Sequence, residues 1–288
     1  MKFKTAGAIV LQIVLWGALS AGLARADTCP LVPSDRASGA QIEAGQWLKL
    51  GQYAKLEAWL EQQDRKNLNA EGGDLLTLRD IVQLQITSDP RQPWAAARRW
   101  VAARPDSFFS QWSAGLSYYG EAAQLHHDKP LTRLPESDQK KIQQLHAAAV
   151  EHLEKAMQLN PRSALPQNIL LGIAKFQGQA AGKNAEQWLQ AASRVDPKNL
   201  AARINAINFL GPIWGGSFKL MDQMAQDAEG SLSAQSLHYL RYNIVLARAG
   251  HEENNNKNKK GAYELYKQAK AMCENSTWAQ DGMKRTQQ

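Results

Sequence analysis

The sequence predicts an all-α protein, an α-solenoid of stacked antiparallel helix pairs, and three observations predict it. Nearly every segment after Gln41 is rich in Ala, Leu, Gln and Lys, which are good helix formers, and strand-type alternation of β-branched residues is missing. Small or apolar residues recur at x, x+4 and x+7, with a proline five residues further on. Each helix pair marked in this way has an apolar face too wide to cover alone, so neighbouring pairs must stack to bury it.

The clearest copies are Ala149, Leu153, Ala156 with Pro161, and Ala185, Leu189, Ala192 with Pro197, a period of 36 residues between the prolines. Ala262, Tyr266 and Ala269 repeat the first three terms without a proline, as a terminal unit would. The small residues let two helices approach closely, and the proline ends one helix and starts the next unit. Gly51, Tyr53, Leu56 and Leu60 mark the turn and second helix of an earlier pair, and Ala95 to Val101 followed by Pro105 marks the end of another. Pro105 and Pro161 are about twenty residues further apart than one period, and the surplus falls in a polar insertion near 126–138 that contains Pro130 and Pro135. Asn254 to Lys260 is expected to be a polar, mobile loop within the last pair.

The start of the chain predicts export. Lys2 and Lys4 precede an uncharged, apolar stretch from Ala6 to Leu23, and Ala24-Arg25-Ala26 is a small-x-small cleavage site. Residues 1–26 therefore read as a signal peptide cleaved after Ala26, 27–40 as an N-terminal extension and 41–288 as the helical repeat domain, in the periplasm or secreted. No later segment is apolar enough for a membrane span. Cleavage removes three of the 34 cations and no acid, which lowers the formal charge from +7 to +4. That mild, scattered charge argues against a nucleic-acid partner, which would call for a basic stripe. The two cysteines, Cys29 and Cys273, are a candidate disulfide pair in an oxidising compartment, and two separate thiols are the alternative.

The octet Leu210-Gly211-Pro212-Ile213-Trp214-Gly215-Gly216-Ser217 resembles a signature of a tetratricopeptide-like bacterial family described as a domain of unknown function. Gly51-Gln52-Tyr53, the run from Trp100 to Ser107, the pair Tyr118-Tyr119 and Leu159-Asn160-Pro161 are similar to the same family in the same order, so the resemblance spans about residues 42–230. It implies the helical-repeat fold and carries no activity or functional residue. Read locally, Pro212 and the glycines stop a helix that begins near Leu200, Ser217 caps the next one at Phe218, and Trp214 packs over the corner.

The histidines and glycines make no catalytic, cofactor or metal pattern in the sequence. His126-His127-Asp128 lies in the insertion, His146 and His152 are six apart, and His238 and His251 have no acidic or cysteine partner at ligand spacing. H-E-x-x-H, G-x-S-x-G and P-loop patterns are absent from the sequence. The expectation is a non-enzymatic protein without cofactor that binds a protein or peptide partner in the groove of a helical repeat. Tyr118 or Tyr119, Trp214, Arg241 and Tyr242 are the candidate partner-binding residues, since aromatic and Arg side chains make good anchors. A periplasmic inhibitor or immunity protein against a toxin, and a cell-wall-associated enzyme or its helper, are the alternatives.

Overall fold

The computed structural model describes residues 38–287, except 68–71, 73–76, 79, 83–84, 86–87, 90–91, 127–130 and 208. The signal segment 1–26, most of the N-terminal extension, Cys29 and the pair His127-Asp128 lie outside the described residues. Every extended element among the described residues is a helix; strand-like pairing is limited to isolated bridges, Ala180 with Lys183 and Glu229 with Leu232. None of these helices is long and apolar enough to cross a membrane. The chain divides into two compact units, the first ending at Ala202 and the second running from Arg203 to Gln288.

In the first unit the helices are α1 (Gly39–Lys49), α2 (Tyr53–Asn67), α3 (Pro93–Ala103), α4 (Phe108–His126), α5 (Glu136–Leu159), α6 (Leu165–Gln177) and α7 (Ala185–Val195); α8 (Leu200–Ile207) carries the division. Helix α1 begins in a capping box in which Ser38 and Gln41 bond each other's backbone, two residues ahead of the expected start. Gly51, at φ +71°, makes the turn into α2, whose Leu56 and Leu60 are buried as their spacing predicts.

Helix α4 is the centre of this unit. It carries no charge before Glu121, its residues from Phe109 to Leu116 are buried, and it packs on α3, α5 and α6. Glycines permit the approach: a Cβ on Gly115 would lie 2.6 Å from Leu153 of α5, and one on Gly120 would lie 2.6 Å from Trp94 of α3. Gly172 of α6 gives the same room to the Tyr119 hydroxyl of α4. Ala149, Leu153 and Ala156 of α5 are fully buried, and Ala192 of α7 packs with Ala164 and Ala202. The surplus between Pro105 and Pro161 is largely helix: Leu131–Arg133 is a short 3-10 turn, and α5 then runs for 24 residues against 11 in α7.

The second unit holds α9 (Phe218–Asp227), α10 (Ala234–Asn254), α11 (Lys259–Met272) and α12 (Thr277–Thr286), packed each on the next, with α12 also on α10. Ser217 caps α9, accepting from the Leu220 amide at 3.2 Å. Gly215 turns the corner before it at φ +84°, and Gly216 sits so close to the Leu210 carbonyl that no side chain fits. Ala262, Tyr266 and Ala269 are buried on α11. The loop expected to be mobile contains a hydrogen-bonded corner. Glu252 takes Asn256 Nδ2 at 2.8 Å and Asn258 Nδ2 at 2.7 Å, and Asn258 in turn caps Gly261 at 3.0 Å. Residues 254–260 are exposed, as their polarity predicts, and the amides of Asn256 and Asn258 close on one carboxylate, which polarity alone does not reveal.

Candidate functional site

The first unit contains an open cleft of about 800 Å³. One side is α2, which contributes Glu57, Glu61, Asp64 and Arg65. These carboxylates lie at i, i+4 and i+7, so one helix face carries all three. The turn between α3 and α4 supplies Arg104 to Ser107, α4 supplies Phe108 and Phe109, and the end of α5 with its following turn supplies Leu159, Asn160 and Arg162.

Glu57 is the most buried charge in the cleft. Its two oxygens are taken separately, by the Trp100 indole N–H at 3.1 Å and by Arg104 Nη2 at 2.8 Å. Both partners come from the end of α3, so this carboxylate joins α2 to α3. Tyr53 stacks over Trp100 with ring centroids 6.3 Å apart, which closes the contact from the α2 side. The α3–α4 turn is held by Gln111, whose Nε2 donates to the Pro105 carbonyl at 2.6 Å while its Oε1 meets His152 Nδ1 at 2.8 Å. Since the Gln111 oxygen can only accept, the imidazole carries its proton on Nδ1. Burial keeps the His152 pKa below the usual histidine value, with Glu151 opposing.

Asp64 behaves differently from Glu57. Burial pushes its carboxyl pKa up, against the opposing pull of the Thr77 hydroxyl, which donates to it at 3.4 Å, and of Arg65. Thr77 takes Asn67 Nδ2 at 3.2 Å, Asn67 also reaches Asp80 at 3.4 Å, and Gln41 donates to Asp80 at 2.6 Å. Asp64 is thus the cleft end of a chain of buried polar side chains that runs back to the cap of α1.

The residues expected to bind a partner lie in both units and do not line this cleft. Tyr119 is buried and stacks on His146, whereas Tyr118 keeps a partly exposed ring between Arg98, 4.3 Å from its centroid, and His152, 5.6 Å away. The adjacent tyrosines do face different surroundings, as their adjacency demands. Tyr242 is buried and bonds Ser276 at 2.6 Å, so it holds α10 to the start of α12; burial raises its pKa. Arg241 is exposed and paired with Glu229, and Trp214 is half-buried in the 3-10 turn Pro212–Trp214. Cys273 is buried, and no described cysteine is free; the pairing with Cys29 lies outside the described residues.

The cleft residues themselves were missed by sequence reasoning. The carboxylates of α2 read locally as a solvated face, and the partners of Glu57 are 43 and 47 residues away. The one local hint was Trp100 four residues before Arg104, which places an indole N–H and a guanidinium on one helix face.

No curated protein matches the chain. Residues 136–245, from the start of α5 into α10, match the model of a family described as Domain of unknown function (DUF4034).

Proposed function

We propose that the protein is an exported, non-catalytic interaction module, an α-solenoid of tetratricopeptide-like helix pairs, and that it holds a protein or peptide segment in the cleft of the first unit. The observation that carries this reading is the cleft itself: open, about 800 Å³, and lined by charges of both signs beside Phe108 and Phe109. That mixture suits a polar partner segment with some apolar contact. The sequential packing of the helices and the buried small-residue positions of α5 and α11 support the solenoid. The small-x-small site at Ala24–Ala26 supports export, and N-terminal sequencing of the periplasmic protein is expected to start at Asp27.

Affinity capture from periplasmic extract tests the binding reading. The variant Arg162→Glu changes an exposed cleft side chain and leaves the core alone. A partner held by the wild type and lost by the variant supports the reading. A set of bound proteins indifferent to the variant opposes it.

One observation favours a second reading, a cell-wall hydrolase. Glu61 and Asp64 stand one helical turn apart, with Cβ atoms roughly 5–6 Å from each other, and the Asp64 carboxyl holds its proton more tightly than an ordinary aspartate. A pair of carboxyl groups side by side is what general acid–base hydrolysis uses. Release of soluble fragments from purified peptidoglycan, abolished by both Glu61→Gln and Asp64→Asn, would establish it over the binding reading.

A further inference from the structure

We infer that the cleft takes a dipolar segment, one that sets a cationic group against Asp64 and an anionic group against Arg162. The inference rests on the cleft being the partner site. It comes from how the charges that line the cleft are already paired. Glu57 is matched by Arg104 at 2.8 Å, Glu61 lies 3.7 Å from Arg65, and Asp106 lies 3.9 Å from Lys155. Two charged groups of opposite sign are left over. Among the described residues, Asp64 forms no ion pair and takes one hydrogen bond, from the neutral Thr77 hydroxyl. The Arg162 guanidinium bonds no described residue, although its backbone is fixed by Asn160 Oδ1 at 3.3 Å.

The Asp64 carboxyl and the backbone of Arg162 are also held in place. The buried chain Gln41–Asp80–Asn67–Thr77 orients Asp64 without neutralising it. Arg162 sits in the turn after α5, where the Ser163 amide bonds the Asn160 carbonyl at 3.2 Å. Their surroundings are apolar in part, through Ala103, Phe108 and Leu159. A Lys or Arg stem can lie on such a surface while its charge reaches a carboxylate. Burial of Asp64 costs the folded protein more than the Thr77 bond and the nearby Arg65 recover, and a ligand cation would offset the remainder.

The test is amide NMR on the purified protein with capped, alanine-based peptides. One set carries a single Lys, one a single Glu, one both with one to four alanines between, and one neither. The expected result is that a peptide carrying both charges shifts amides near residues 61–65, 104–108 and 160–163. It should bind at least about fivefold more tightly than either singly charged peptide, and the advantage should vanish in about 1 M salt. Asp64→Asn should remove the contribution of Lys alone, and Arg162→Gln that of Glu alone. Shifts at the cleft that ignore peptide charge, favour one sign only, or survive both variants overturn the inference and leave the cleft as a binding site. If no peptide shifts the cleft amides at millimolar concentration, the binding reading of the cleft falls with it.

Discussion

Trp100 donates its indole N–H to Glu57 at 3.1 Å, across 43 residues of chain, and so joins α2 to α3 at the wall of the cleft. Trp100→Phe keeps an aromatic ring under Tyr53 and removes the donor. One oxygen of a buried carboxylate is then left with a bond fewer, which costs about 1–3 kcal/mol. Urea unfolding is expected to show the loss, and Trp100→Phe combined with Glu57→Gln should cost less than the two changes summed.

Asp64→Asn is expected to separate stability from recognition. The folded-state pKa of Asp64 is raised above its ordinary 3.8 by burial, so the folded protein binds this proton more tightly than the unfolded chain does. For a carboxyl shifted in that direction, the fold is disfavoured once the pH is above the folded pKa, and not below the unfolded one. Asparagine can still accept from Thr77 and carries no charge. The variant should therefore melt no lower than wild type at pH 7, with its advantage gone below pH 3.8, while it loses partner binding. Melting curves at the two pH values check both halves.

Two glycines in the second unit should respond oppositely to alanine. A Cβ on Gly282 of α12 would lie 2.5 Å from the Tyr266 ring. That ring is pinned, since its hydroxyl donates to Glu253 at 2.7 Å and Arg285 grips the same carboxylate at 2.9 and 3.0 Å. Helix propensity favours alanine by up to about 1 kcal/mol, but overpacking against an immobile ring costs about 1–3 kcal/mol, so Gly282→Ala should destabilise. Gly250 of α10 has nothing within 4 Å of its would-be Cβ, and Gly250→Ala should stabilise by about 0.5–1 kcal/mol. Chemical denaturation of both variants gives the signs.

Ala181 occupies the left-handed region at φ +45°, beside Gly182 at +73°, in the two-residue turn closed by Ala180 and Lys183 at 2.9 and 3.0 Å. A side chain in that region costs about 1–2 kcal/mol, and turns with two positive φ values favour Asn-Gly. Ala181→Asn is expected to raise the melting temperature of the protein without affecting binding.

Local chemistry made much of this molecule legible in its sequence. The start of α9 at Phe218 under the Ser217 cap, the glycine turn before Tyr53, and the buried Ala149, Leu153 and Ala156 each follow from a few adjacent residues. The cleft does not, because Glu57, Trp100, Arg104 and Arg162 meet only through tertiary packing. Tyr242 shows the opposite error. An aromatic beside an arginine suggests recognition, yet this ring is buried and its hydroxyl bonds Ser276 inside the unit.

A photo-crosslinking residue placed at Ala103, exposed in the cleft, and separately at Lys267, on the exposed face of α11, tests the central claim most directly. Illumination in living cells should give a discrete adduct from position 103 that is absent from position 267 and lost when Asp64→Asn is added. Equal adducts from both positions, or an adduct at 103 that ignores Asp64→Asn, would contradict the cleft as the place where this protein meets its partner.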